Sequence, residues 1–131
     1  MKVLLSIKPE FVKKIISGEK LYEYRKSIFK KDVDAVVIYS TKPVGMLIGE
    51  FSIKQILNTS PEELWNITNE NSGISKAFFM DYFKDRENAY ALEISEFIEY
   101  KKGINPKEID KNFIAPQSFK YVDDNWLNYQ N

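Results

Sequence analysis

The stretch G-E-K-L-Y-E-Y-R, residues 18–25, decides how the rest of this sequence is read. It follows a predicted amphipathic helix over 9–17, which the glycine at the start of the stretch terminates. Two cations, Lys20 and Arg25, and one carboxylate, Glu23, lie within six residues of one another. Such a cluster can hold a phosphate or polarise a carbonyl group, and it can equally be a plain surface ion pair.

The strand predicted over 20–26 sets the directions of these side chains. Because side chains alternate between the two faces of a strand, Glu23 and Arg25 share one face. Regular alternation places Lys20 on the opposite face, together with Tyr22. Lys20 can join Glu23 and Arg25 only if a turn or a bulge interrupts the strand before Tyr22.

Strand and helix signals elsewhere predict a mixed fold. Further strands are predicted at 3–7, 35–40, 44–57 and 89–98. Further helices are predicted to begin near Ser60 and Ser75, which are favourable capping residues. Strands follow one another without helices between residues 20 and 57, which argues against a doubly wound parallel sheet. The sequence therefore predicts one α+β domain over 1–131, with a mixed β-barrel at its centre.

The sequence contains neither histidine nor cysteine. This composition excludes a Ser-His-Asp triad, a cysteine nucleophile and any zinc site built from His or Cys. Acid–base chemistry would have to come from Lys, Glu, Asp or Tyr side chains with shifted pKa values. No carboxylate cluster or nucleotide-phosphate loop stands out, so we expect neither a metal nor a cofactor.

Charge is distributed unevenly although the formal net charge is zero. Residues 1–31 contain nine Lys/Arg and three Asp/Glu, whereas residues 32–131 contain ten and sixteen. The basic third could form a one-sided patch for an anionic partner, or its lysines could be ordinary solvated residues. No apolar run reaches the roughly 18 residues of a membrane span. We therefore expect a soluble, cytoplasmic protein.

Three parts of the chain carry a family resemblance. The first is L-S-I-K-P at 5–9, followed by a helix and then by G-x-K-x-x-E-x-R at 18–25. The second is I-Y-S-T-K-P at 38–43 with I-G-E at 48–50, and the third is A-P-Q-S-F-K-Y at 115–121. Together they resemble the ASCH domain family of the PUA-like superfamily. The resemblance implies a PUA-like, partly open mixed β-barrel with flanking helices.

The resemblance also implies a ligand-binding cleft between the first helix and the barrel. The residues expected to bind a ligand there are Ser6, Lys8, Lys20, Glu23, Arg25, Tyr39, Ser40 and Lys42. Glu50 is a further carboxylate in the middle of a strand, where an unpaired charge is costly. We expect Glu23 to orient Arg25 or Lys20 through a charge-assisted hydrogen bond.

Family membership would imply binding of nucleic acid, in the first place RNA, or of a nucleotide. The alternative is a small metal-independent hydrolase. Some relatives remove the acetyl group of N4-acetylcytidine with a Lys, a Thr and a Glu, and others are reported as ribonucleases. Here Glu23 stands where those amidohydrolases have Thr, so a hydrolase would use Lys20 with a carboxylate, Glu23 or Glu50. A protein-interaction domain with a vestigial cleft is the third reading.

Aromatic side chains allow two readings. Tyr22, Tyr24 and Tyr39 could stack bases or belong to the barrel. Four rings at helical spacing, Phe78, Phe79, Tyr82 and Phe83, are predicted to be core. The segment 114–121 is too apolar for a free tail, so it is predicted to pack on the barrel.

Overall fold

A six-stranded mixed sheet organises residues 1–127, the part of the chain that this computed structural model describes. The strands are β1 (Lys2–Ile7), β2 (Tyr22–Arg25), β3 (Ala35–Ser40), β4 (Met46–Thr59), β5 (Ala89–Ile104) and β6 (Lys120–Val122). Their order across the sheet is β2-β5-β4-β3-β1-β6. The β1–β3 pair is parallel and the other pairs are antiparallel. Because β2 and β6 end the sheet without pairing, the predicted partly open mixed barrel is confirmed.

Three helices flank the barrel: α1 (Pro9–Ser17), α2 (Pro61–Thr68) and α3 (Lys76–Tyr82). The first turns of α2 and α3 are capped as predicted, because the hydroxyls of Ser60 and Ser75 accept backbone N–H groups. Gly18 ends α1 in the left-handed conformation, with φ of 84°. Two single turns of 3-10 helix, 69–71 and 106–108, complete the helical structure of the described residues.

Apolar side chains form three clusters. One lies between α1 and the sheet and includes Val12, Ile15, Ile38 and Phe51. A second lies on the opposite face of β1 and β3, and a third fills the space beneath α2 and α3. The first cluster holds α1 and the third holds α3, and side chains of both helices and of β2 line a cleft.

Several strand boundaries differ from the sequence prediction. The strand predicted over 20–26 covers only Tyr22–Arg25, the strand predicted over 44–57 is shifted to Met46–Thr59, and the strand predicted over 89–98 continues to Ile104. Residues 128–131 of the predicted domain lie outside the described residues. None of the helices within residues 1–127 has the length and apolar character needed to cross a membrane.

Candidate functional site

A cleft of about 190 Å³ opens beside α1, where the barrel is not closed. Its floor and walls come from β1, β2, α1 and α3. The lining residues are Ser6, Ile7, Lys8, Phe11, Lys20, Glu23, Tyr24, Arg25, Ile74, Phe78 and Tyr82. Five of the residues predicted from the sequence therefore meet at one cavity: Ser6, Lys8, Lys20, Glu23 and Arg25.

Lys20 reaches the cleft because the chain turns before β2. Its backbone N–H donates to the Lys14 carbonyl at the end of α1, so Lys20 is not part of the strand ladder. The side chain is 2% exposed, and its ammonium lies 4.7 Å from the centre of the Tyr24 ring. The interruption that the sequence required before Tyr22 is thus present, and it brings Lys20 to the same cleft as Glu23.

The ammonium group of Lys20 is only partly satisfied by the protein. It donates one hydrogen bond, to the Ser72 carbonyl oxygen at 3.0 Å, although an ammonium carries three donors. Burial lowers the pKa of Lys20 from 10.5 to about 8, while the nearby Glu23 carboxylate opposes this shift. The cleft therefore contains a buried amine that changes its charge near pH 8 and retains free donors.

The loop 71–74 closes the cleft at the Lys20 end. Three successive carbonyls of this loop are each bound: Asn71 by the Leu21 N–H, Ser72 by Lys20 and Gly73 by the Lys14 ammonium at 2.8 Å. Gly73 has φ of 70°, and a Cβ placed there would lie 2.6 Å from the Lys20 Cβ. Only glycine fits this close approach, so the loop and Lys20 position each other.

Arg25 connects the two ends of the open sheet. Its Nη2 forms an ion pair with Glu23 at 3.0 Å and donates to the Ser6 carbonyl of β1 at 2.8 Å. Its Nη1 donates to the Ser118 carbonyl at 3.4 Å, whereas its buried Nε has no hydrogen-bond partner. The predicted orienting role of Glu23 matches this geometry, since the carboxylate holds the guanidinium beside the cleft.

Aromatic rings form much of the remaining wall. Phe11 and Phe78 meet edge to face with ring centres 5.3 Å apart. Tyr24 is fixed by a 2.7 Å hydrogen bond from its hydroxyl to Thr68, and burial raises its pKa to about 12. Burial also raises the pKa of Tyr82. Both tyrosines are therefore neutral near pH 8 and present flat, uncharged surfaces.

Two lysines lie against aromatic rings of α3 that line the cleft. The Lys8 ammonium is 5.6 Å from the centre of the Phe78 ring, and the Lys26 ammonium is 4.7 Å from that of Tyr82. Cations at these distances interact favourably with the ring faces. Both lysines add positive charge beside the cleft.

Three predicted ligand-binding residues do not line the cleft. Tyr39 is buried in the second core cluster against Phe113, and Ser40 is buried at the end of the same central strand. Lys42 lies in the turn that follows. The prediction assumed that β3 borders the cleft, but β1 separates β3 from the open edge of the sheet.

Glu50 does not line the cleft either. It forms an ion pair with Lys2 at 3.0 Å and accepts a hydrogen bond from the Tyr100 hydroxyl at 3.0 Å. Burial and this carboxylate raise the pKa of Tyr100. The structure therefore corrects the predicted pairing of Lys20 with Glu50, because Glu50 satisfies its charge on another part of the sheet.

The sequence analysis did not predict that aromatic side chains of α3 line the cleft. Phe79 and Phe83 are buried core residues as predicted, but Phe78 and Tyr82 line the cleft. The signal was available, since these four rings form two pairs at a spacing of four on adjacent faces of one helix. One pair packs in the core, and the other pair, on the adjacent face, lies outside it.

The arrangement defines a class of site: a cationic, aromatic cleft without a cluster of metal ligands. No group of three or more carboxylates within residues 1–127 is placed to hold a metal ion. The lining can donate hydrogen bonds, stack on a flat ring and accept a hydrogen bond at Glu23.

The family model described as the ASCH domain matches residues 5–112, so this chain belongs to the ASCH domain family. An ASCH domain-containing ribonuclease of Zymomonas mobilis is 32% identical over 126 residues, which cover 91% of this chain and 82% of that protein. An ATP synthase subunit alpha of Ureaplasma parvum is 27% identical over 121 residues, 92% of this chain but 15% of the subunit.

Solved structures support the same assignment. The crystal structure of ASCH from Zymomonas mobilis has a TM-score of 0.90 and 28% sequence identity, and covers 98% of this chain and 92% of that chain. The partly open barrel and its flanking helices are therefore shared along nearly the whole chain.

Proposed function

We propose that the cleft binds one nucleotide unit of RNA, with the base between the aromatic walls and the phosphate or a carbonyl group at Lys20 and Arg25. The observation that carries this proposal is the Lys20 ammonium, which is buried in the cleft with one protein acceptor. A buried cation with unused donors favours an anionic or carbonyl ligand, because such a ligand supplies the missing hydrogen bonds. Family membership and the ribonuclease relative favour RNA over other anions.

The aromatic lining supports a base as the second part of the ligand. Phe78 and Tyr82 are partly exposed at the cleft, and a lysine ammonium lies over each of the two rings. Stacking on such rings tolerates any base, whereas Glu23 can accept a hydrogen bond from an exocyclic amine or a ring N–H. A cavity of about 190 Å³ holds a single base and not a helix.

The test is a calorimetric titration with AMP, CMP, GMP and UMP at pH 7. Lys20→Met should lower the affinity for the preferred nucleotide by about 10- to 100-fold, the loss expected for a charge-assisted hydrogen bond. Phe78→Leu should lower it by about fivefold or more, because leucine keeps the volume and removes the flat ring. Lys107→Met and Phe97→Leu, which change residues outside the cleft, are the controls. Equal affinities for all five proteins would contradict the proposal.

A second function, cleavage of the bound RNA, is favoured by the lowered pKa of Lys20 together with the ribonuclease relative. Neutral Lys20 would remove the proton of a ribose 2′-hydroxyl, and the 2′-oxygen would attack the adjacent phosphorus. The P–O5′ bond would break, leaving a 2′,3′-cyclic phosphate and a 5′-hydroxyl that takes a proton from solvent. Arg25 would stabilise the charge on the phosphorus oxygens.

The pH dependence separates binding from cleavage. A phosphate held by charged Lys20 should bind more weakly as the pH rises through about 8. Catalysis by neutral Lys20 should instead give a kcat/KM that rises with pH and levels off above about 8. The products should be identified by mass, and an RNA with a 2′-deoxyribose at the cut site is the negative control. Cleavage that is unchanged in Lys20→Met, or that persists in the deoxy substrate, would exclude this mechanism.

A further inference from the structure

The sequence R-K-S-I-F-K-K, residues 25–31, leads away from the cleft and carries four cations with no carboxylate. It connects β2 to the segment before β3. Of its four cations, Arg25 is bound at the cleft, and the remaining three are the exposed lysines Lys26, Lys30 and Lys31. None of these three lysines forms an ion pair with a carboxylate of residues 1–127. Their charges are thus available to a partner.

The lysines are held in place although they are exposed. Phe29 is buried in the first core cluster, and it packs on Phe119 with ring centres 6.0 Å apart. The backbone N–H groups of Lys30 and Lys31 donate to the Tyr121 hydroxyl at 2.9 and 3.2 Å. The Lys31 ammonium lies 4.9 Å from the centre of the Tyr121 ring. This anchoring lowers the entropy cost of binding through these lysines.

The row formed by Lys26, Lys30 and Lys31 starts at the cleft. The Ser27 and Ser118 hydroxyls are 3.0 Å apart, and Ser118 is also the residue whose carbonyl binds Arg25. Lys30 follows Arg25 by five positions in the chain, a distance of at most about 18 Å. The row begins at Lys26, whose ammonium lies over Tyr82 in the wall of the cleft.

We propose that Lys26, Lys30 and Lys31 form a track for the phosphates that flank the nucleotide in the cleft, so that the ligand is a single-stranded RNA of several nucleotides. This inference rests on the proposed function of the cleft. A free nucleotide has a single phosphate, which the cleft would hold, so it leaves the outer lysines without a ligand. A duplex does not fit either, because its bases are stacked and cannot enter an aromatic cleft without being extruded.

The test compares ligands of different length. Binding of a mixed-sequence RNA nonamer and of the preferred mononucleotide is measured at several salt concentrations. The test variant is K30Q/K31Q, and the matched control is K101Q/K102Q, which neutralises an equally exposed adjacent pair on β5. We expect K30Q/K31Q to weaken nonamer binding by about 5- to 20-fold and to leave mononucleotide binding within twofold. Its salt dependence should become less steep by about 0.7 in log–log slope for each lost phosphate contact.

Each outcome tests the proposed track, the proposed function of the cleft, or both. A nonamer that binds no tighter than the mononucleotide, or an equal loss in K30Q/K31Q and K101Q/K102Q, overturns the track. If K30Q/K31Q weakens nonamer binding but Lys20→Met does not affect the mononucleotide, the proposed function of the cleft fails. A parent protein that binds neither ligand overturns both. Equally tight binding of an acidic peptide of the same charge, such as a nonaglutamate, also overturns the track, because it would assign the lysines to a protein partner.

Discussion

Lys20 combines burial, a single protein acceptor and a lowered pKa. In the unfolded chain its pKa is near 10.5, and in the folded protein it is about 8. Between these two values the unfolded state binds more protons, so the free energy of unfolding rises with pH. Above about pH 10 Tyr24 acts in the opposite direction, because its pKa is raised from 10 to about 12 in the fold.

The first prediction follows from this linkage. The free energy of unfolding should increase by about 2 kcal/mol between pH 7 and pH 10 through Lys20 alone. Lys20→Met should lose this increase, and Lys107→Met, an exposed control, should keep it. Urea unfolding at pH 7, 8, 9 and 10 measures the difference. Parallel pH profiles for the parent protein and Lys20→Met would contradict the burial of a titrating lysine.

Arg25 is as much a structural residue as a binding one. Its guanidinium and the Lys20 ammonium both bind backbone carbonyls of distant segments. Removing either one leaves buried acceptors unsatisfied.

At the scale of elements, the loop 71–74 ties α1, β2 and α3 into one site. It offers three carbonyls to groups of α1 and the start of β2, and it leads into the cap of α3. Its conformation depends on Gly73, where the backbone is left-handed and a side chain has no room.

The second prediction concerns this glycine. Gly73→Ala should destabilise the protein by about 2 kcal/mol or more and weaken nucleotide binding, because the new methyl group displaces Lys20. Gly45→Ala is the matched control: it also has a positive φ, 62°, but its nearest heavy atom would be 3.7 Å away. Urea unfolding and nucleotide titration of both variants give the comparison. An equal effect of the two substitutions would show that backbone strain, and not the contact with Lys20, determines the cost.

The closing segment 114–121 packs on the barrel as predicted, but less completely than the sequence suggested. Phe119 contacts Phe29 and Tyr121 and is only partly buried. The third prediction is therefore that Phe119→Ala costs about 2 kcal/mol, less than the 3 kcal/mol or more of a fully buried ring. Ile114→Ala, at a position 82% exposed, should change stability by less than about 0.5 kcal/mol. Urea unfolding measures both, and similar values for the two variants would contradict the packing of this segment.

At the scale of the whole molecule, the Arg25 guanidinium is one of the links across the open side of the barrel. The Arg25 side chain extends from β2, at one end of the sheet, to β1 and to the segment before β6, at the other. Strand pairing does not connect these two ends. The width of the cleft therefore depends on a side chain that also lies in its wall.

The fourth prediction is that Arg25→Lys loosens these edges although the charge is kept. A lysine cannot bind two carbonyls and Glu23 at once with the planar geometry of arginine. Amide hydrogen exchange of β2 and β6 should become faster, while β3 and β4 at the centre of the sheet should change little. Arg86→Lys, which changes the other arginine of the chain at an exposed position, is the control. Unchanged exchange in Arg25→Lys would mean that the ends are held by other contacts.

The local patterns of the sequence predicted most elements and the core of the site. The apolar runs of β1 and β3, the capping residues of α2 and α3, and the G-x-K-x-x-E-x-R motif all have local physical causes. The predictions that failed concern residues whose surroundings are determined by tertiary contacts. Nothing near Tyr39 in the sequence reveals that β1 lies between β3 and the cleft, and nothing near Glu50 reveals its partner Tyr100, fifty residues away.

The burial of Lys20 also has a chemical consequence. An amine that loses its proton near pH 8 is a nucleophile in mildly alkaline solution, able to condense with an aldehyde and to lose water as an imine. Because the cleft admits only small molecules, an aldehyde of the size of a single aromatic ring can reach this amine and a bulky one cannot. Borohydride reduction would make the adduct permanent, and mass spectrometry would show that Lys20 reacts at a lower pH than an unperturbed lysine does. A nucleotide that occupies the cleft would protect Lys20, so the covalent label would report occupancy directly.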